Sequence, residues 1–349
     1  LLVVIGNSYP ESAPYYPEGA KKSVLPPRPS HGICRAIVYD TSDKSKVRQI
    51  RELDLEGSYL SSRKIGNFMY LIANRNIDCY YIQQGQDVYP AYRDSVKGNG
   101  YITQDLSKVR YFPGCVEPNY LCVAALDLSN PSQEADVQTY LGSGENVYAS
   151  GQNLYVAVSQ YENPQPLPAK NFLYRPLDNS TRIYKFALNG PSLRYLGSGK
   201  VPGTILNQFS MDEYGSYCRI ATTSGEVWRN DEYTSKNNIY VLNDKLEIVG
   251  TIENIAPGEK IYSTRFLGDR AYMVTFRTVD PFFVIDLKDP VKPQILGKLK
   301  IPGYSDYLHP YDENHIIGFG KETVELKNGT DESQAFYQGM KIAVFDVTD

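Results

Sequence analysis

The 349-residue sequence is poor in the residues from which most catalytic and metal centres are made: three His, one Trp, four Met and five Cys. The cysteines, at 34, 79, 115, 122 and 218, include no C-x-x-C pair, and with so few histidines no zinc-ligand spacing arises. No G-x-S-x-G elbow supplies a nucleophile for Ser-His-Asp chemistry. The net charge of −4 comes without a block of Lys or Arg, which disfavours nucleic acid and anionic lipid as partners. No apolar run is long enough to cross a bilayer, and no sustained helical period is flanked by caps. These absences leave no catalytic residue, metal or cofactor to name, and the expectation is a protein that is not an enzyme.

What is abundant is tyrosine, 30 against 12 Phe. Its ring packs on strands while its hydroxyl stays hydrated, which suits β-rich structure and recognition surfaces alike. The opening Leu1-Leu2-Val3-Val4-Ile5 is a strand stopped by Gly6, with no basic segment to make it a signal peptide.

Internal repetition is the strongest signal. Three apolar positions, Asp, two variable positions and Asp or Asn recur at 37–43, 124–130, 283–289 and 343–349, with degenerate copies at 183–189 and 239–244. Each reads as a buried strand running into a turn whose Asp bonds nearby backbone amides. Around each copy, strand pairs such as 146–158 and 262–274 complete a unit of four strands, A to D, with the Asp motif closing strand C. The fold class is therefore all-β, a β-propeller of four-stranded antiparallel blades.

Six blade traces are visible: strands B to D near residues 1–5, 37 and 52, then 58–144, 146–203, 208–258, 261–303, and a sixth from 304 to its strand C. The expectation is a single propeller domain over 1–349, broken within a blade at both ends, whose full ring has seven or eight blades. Insertions between strands B and C at 7–33, 75–120, 160–181 and 324–339 are rich in Pro, Gly, Tyr and Asn, and are expected to share one face. Gly-Ser-Gly at 142–144 and 197–199 reads as a connector between blades.

Cys122 and Cys218 lie in strand patterns and read as core residues. Pairing Leu71 near Ala125 would bring Cys79 opposite the Cys115 region, so a Cys79–Cys115 disulfide is expected, with Cys34–Cys79 as the competing pair. The sequons at Asn179 and Asn328 mark candidate glycosylation sites in loops. The heptapeptide His309 to His315 aligns with the A–B turn at 267–270 one blade earlier, and a turn role outweighs a metal role.

The stretch Val201 to Tyr214 resembles a secreted β-propeller-domain family of bacteria and archaea, distantly related to WD-repeat propellers. Ala256 to Tyr262, Gly268 to Tyr272, Val279 to Leu287 and Leu308 to His315 are similar to the same family. The resemblance implies an exported or cell-surface propeller and supplies no catalytic residue. The single Trp228 speaks against quinone-type and sialidase-type propellers, which carry repeated Trp or Asp-box signatures. The expected activity is binding or scaffolding of a protein or glycan through loops on one face. A subunit of a surface layer or filament, formed by self-assembly, is the first alternative. A metal-dependent hydrolase or lactonase using the central channel is the second.

Overall fold

The computed structural model describes residues 1–9, 32–77, 88–112, 117–162, 178–276, 280–327 and 333–348. Among these the strands form six sheets that follow chain order. The first is built on β1 (Leu2–Ser8), β2 (Ile33–Asp40) and β3 (Arg48–Glu56), and the second opens with β4 (Ser58–Ile65) and β5 (Phe68–Asn76). Three short strands follow, β6 (Ala91–Asp94), β7 (Ile102–Thr103) and β8 (Arg110–Tyr111), before β9 (Asn119–Asp127) and β10 (Asp136–Leu141). The third sheet holds β11 (Asn146–Ala149), β12 (Asn153–Glu162), β13 (Asp178–Asn189) and β14 (Ser192–Pro202). The fourth holds β15 (Met211–Tyr214), β16 (Tyr217–Ser224), β17 (Lys236–Leu242) and β18 (Ile248–Ile255). The fifth is β19 (Lys260–Leu267), β20 (Arg270–Phe276), β21 (Asp280–Asp286) and β22 (Gln294–Ile301). The sixth is β23 (Tyr304–Pro310), β24 (His315–Lys327) and β25 (Ser333–Asp346). The blade limits read from the repeat coincide with these sheets to within a few residues, and the fold is the expected all-β architecture of antiparallel sheets.

The repeated Asp does what its position requires. Asp40, Asp127, Asp286 and Asp346 each close a strand and accept the backbone N–H two residues on, at 2.8–3.0 Å. Asp43 and Asp289, the second acids of the motif, repeat the bond to Ser45 and Val291. The apolar run before the Asp is buried on both faces in β9, where every residue from Tyr120 to Leu126 is buried, whereas before Asp346 Val344 is exposed.

A second repeat went unread in the sequence. Gly57, Gly142, Gly203, Gly258 and Gly303 each follow the last core strand of a sheet, and all have positive φ. The N–H groups of Gly57, Gly142, Gly203 and Gly258 donate to Gly32, Asn119, Asn179 and Ser235, the residue at or just before strand C. At Gly57, with φ of 124°, a Cβ would lie 2.4 Å from the Asn74 carbonyl oxygen, so only glycine lets the chain cross there. Sequence reading placed the connector at Gly-Ser-Gly; that holds for 142–144, whereas 197–199 lies inside β14. There Gly199 packs against Leu246, whose carbonyl oxygen a Cβ would approach to 2.5 Å.

The chain divides into two compact units. Unit 1 comprises Leu1–Val147, Gly151–Leu154 and Phe186–Tyr195; unit 2 comprises Tyr148–Ser150, Tyr155–Lys185 and Leu196–Asp349. The core of unit 1 sets Leu53 and Leu55 of β3 with Met69, Leu71 and Ala73 of β5 and Cys122, Ala124 and Leu126 of β9. The i, i+2 spacing is that of one sheet face. In unit 2, Ala221, Ile239, Val241, Ala271, Met273, Phe283 and Ile285 form one core cluster. Side chains staple successive sheets by bonding turn carbonyls: Tyr70 Oη to Gly190 at 2.7 Å in unit 1, and Arg219 Nη1 to Gly268 at 2.6 Å in unit 2.

The insertions depart from expectation where they are described. The segment at 324–339 is largely a continuation of the β24–β25 hairpin, paired as far as Lys327 with Ser333, because the antiparallel ladder simply runs on. Segment 88–112 is not a free loop. It adds β6 and β7 to the outer side of the first sheet and β8, in parallel, to β10 of the second.

Candidate partner-binding surface

Segment 88–112 is held by buried charge. Arg51 and Asp94, each with a side chain about 1% exposed, form a paired contact at 2.6 and 3.1 Å, and Asp94 also accepts the Ala135 N–H at 3.0 Å. The Asp54 carboxylate, fully buried, accepts from Arg35 at 2.7 Å, Arg93 at 2.7 Å and the Tyr101 hydroxyl at 3.0 Å, while Arg93 also pairs with Glu52. Burial beside Asp54 pushes the Tyr101 phenol up to about 12. A charge network this desolvated holds two edges together and leaves little free to recognise a partner.

The loop at 225–235, between β16 and β17, is built differently. Gly225 enters with φ of 74°, and the loop is laced by its own backbone: Glu226 N to Tyr233 O at 2.9 Å, Ser235 N to Glu226 O at 3.1 Å, and Thr234 N to Asp231 O at 3.0 Å. Asp231 accepts the Tyr233 N–H at 3.0 Å and Arg229 Nε at 2.8 Å. Arg229 holds the Asp231 carboxyl below the usual carboxylate range. The guanidinium lies over the rings of both Trp228, at 5.3 Å, and Tyr233, at 5.0 Å. Trp228 is nonetheless 68% exposed. A rigid loop thus presents the chain's only tryptophan to solvent, with its neighbours already fixed.

The expected site residues fall as follows. Cys79, Cys115 and Asn328 lie outside the described residues. Leu71 pairs with Ala124, one residue from the expected register. Cys34 is not a disulfide partner of Cys79: it is a free, buried thiol in the unit 1 core, pushed up to about 12 by burial. Cys122 and Cys218 are free and buried, as expected. Asn179 stands in strand β13, not in a loop, and the hydroxyl of Thr181 in its sequon is buried on the Gly203 carbonyl at 2.8 Å.

The His309–His315 heptapeptide splits. Residues 311–314 form the A–B turn, where Asp312 accepts the Asn314 N–H at 2.8 Å and contacts His315 Nδ1 at 2.8 Å. His309 instead belongs to β23, with Tyr307 Oη 3.2 Å from its Nδ1. Among the described residues no group of three or more His, Cys, Asp and Glu side chains is placed to hold a metal ion, and no helix is long and apolar enough to cross a membrane.

Sequence reasoning set Trp228 aside as evidence against other propellers. The sequence signal for its exposure was a lone Trp among Glu226, Arg229, Asp231 and Glu232, between two strands.

Six sheets whose core strands are antiparallel and follow one another along the chain, with a recurrent Asp turn and a recurrent connector glycine, are the pattern of a propeller. The chain belongs to the β-propeller domain family, whose sequence profile matches residues 1–349. It is 32% identical to an uncharacterized protein of Methanocaldococcus jannaschii over 89% of this chain and 56% of that one. It is also 44% identical to an uncharacterized protein of Archaeoglobus fulgidus over 48% of this chain and 23% of that one. The chain thus spans about half the length of the first relative and about a quarter of the second.

Proposed function

We propose that this propeller is a non-catalytic binding module, secreted or held at the cell surface, that grips a protein or glycan partner through its B–C loops. The observation that carries this reading is Trp228, 68% exposed on a loop locked by its own hydrogen bonds. Large aromatic side chains with few rotatable bonds give much contact area at little entropic cost, and Trp, Tyr and Arg dominate the energetics of recognition surfaces. Trp228, Arg229 and Tyr233 supply all three within six residues. The test is chemical cross-linking on intact cells with the full-length protein, comparing wild type with Trp228→Ala. A specific cross-linked product on the outer surface that the variant loses is the expected result. A product formed equally by the variant, or protection of the protein from externally added protease, would overturn the assignment.

A further inference from the structure

We infer that unit 2 carries a second ligand site, formed by Phe209, Arg265, Tyr307 and His309, that takes a saccharide bearing a carboxylate. The inference does not depend on the loop at 225–235.

The site is assembled by first strands. β19 and β23 open successive sheets and lie side by side, with Ser263 Oγ donating to the Ser305 carbonyl at 2.7 Å. A 3-10 turn at Gln208–Ser210 packs on β19 and is capped by Asn207, whose Oδ1 accepts the Phe209 N–H at 2.9 Å. This fixes the Phe209 ring beneath the Arg265 guanidinium at 5.0 Å, with the Tyr307 ring 5.6 Å from Phe209 at 57°. Tyr307 also lies 6.2 Å from Phe319 and meets His309 through its hydroxyl.

Arg265 is the anomaly. Of the other partly buried or buried arginines, those at 35, 51, 75, 93, 219 and 229 each hold a carboxylate, and those at 63, 182 and 270 bond carbonyl or amide oxygens. Arg265 has no ion pair among the described residues. Asp212, a carboxyl on which its charge acts, is taken by both arms of Arg219, at 2.7 and 2.5 Å. A half-buried guanidinium stacked on an aromatic ring and lacking a counter-ion is a pre-positioned receptor for a carboxylate, which it can bind with two parallel hydrogen bonds. The fork fits a carboxylate or a phosphate in shape, but one guanidinium balances the single charge of a carboxylate and only half that of a phosphate dianion. Phe209 and Tyr307 add apolar faces, and the Tyr307 hydroxyl and His309 imidazole add hydrogen-bonding groups beside them. One apolar face edged by hydroxyl partners and one carboxylate anchor is the complement of a uronic acid ring.

Titration calorimetry of the purified protein tests this with trigalacturonate, the uncharged trimer of galactose, and free glutamate. Saturable binding of trigalacturonate is expected, with the neutral trimer weaker by about tenfold or more, the worth of one charge-assisted pair. Free glutamate should not compete. Arg265→Ala should abolish binding and Tyr307→Phe should weaken it, with circular dichroism confirming that both fold. Arg265→Lys, which keeps charge without the fork, should bind less well than wild type. Trp228→Ala should bind trigalacturonate as wild type, so a failed cross-linking test would strike the loop reading alone, and loss of trigalacturonate binding by Trp228→Ala would overturn this one. The inference is overturned by no saturable binding of trigalacturonate, by equal binding of the neutral trimer or glutamate, or by unchanged binding to folded Arg265→Ala.

Discussion

Segment 88–112 and the loop at 225–235 both join strand B to strand C of a sheet, yet they spend their residues in opposite ways. The longer one looks decorative in sequence, with four Tyr and a Gly-Asn-Gly turn, but it folds back as strands on two sheets and sinks its charges into buried pairs. The shorter one satisfies its backbone locally and leaves its largest side chain in water. Insertion length is a poor guide to function, because long loops cost little in closure entropy and can be recruited to cover sheet edges. What separates the two is where the polar groups find partners: across the sheets in one case, within the loop in the other.

The comparison breaks most sharply at Asp94. Replacing it by Ala leaves Arg51 buried without its carboxylate, and chemical denaturation should register a loss of about 3–5 kcal/mol. A near-neutral result would mean that segment 88–112 is an ornament after all. Tyr101→Phe is milder: it removes one hydrogen bond to Asp54, whose arginine partners remain, and should cost about 1 kcal/mol in the same assay.

Trp228→Ala, by contrast, should move stability by no more than about 0.5 kcal/mol, since the ring is exposed and the loop's own bonds survive. A large loss of stability there would move this loop into the structural class. The smallest effect is local. Asp231 is held below its ordinary value by Arg229, so its grip on the arginine is complete above the unfolded value of about 3.9. The grip is lost only as pH falls through the lower folded value. Fluorescence from the chain's single tryptophan should therefore change in strong acid as Arg229 is released, and Asp231→Asn should remove that step. The wider fold has acid sensitivity of its own. Asp40, held down to about 2 by the Ser42 N–H, keeps its turn intact above about 3.9 and loosens it as pH drops towards 2.

Much of the fold was legible because the repeat is local. An apolar triplet followed by Asp states both the buried strand and the turn that ends it, and the strand limits at Asp40, Asp127, Asp286 and Asp346 follow directly. The connector glycines were equally present in the sequence but harder to read. Their neighbours vary, from Glu56-Gly57 to Pro202-Gly203, and the constraint on each is a carbonyl distant in sequence. The candidate sites were least legible. Nothing around Arg265 says that it would be left without a carboxylate, because that depends on Arg219 having claimed Asp212.

The sequence by itself determined the strand content, the number of repeats and the chemistry of their turns, since each is set by contacts within a few residues. Tertiary structure alone decided which insertions became strands, that Cys34 too was core, and which charges went unpaired. Those outcomes turn on burial, and burial is a property of neighbours that the chain meets only after it folds.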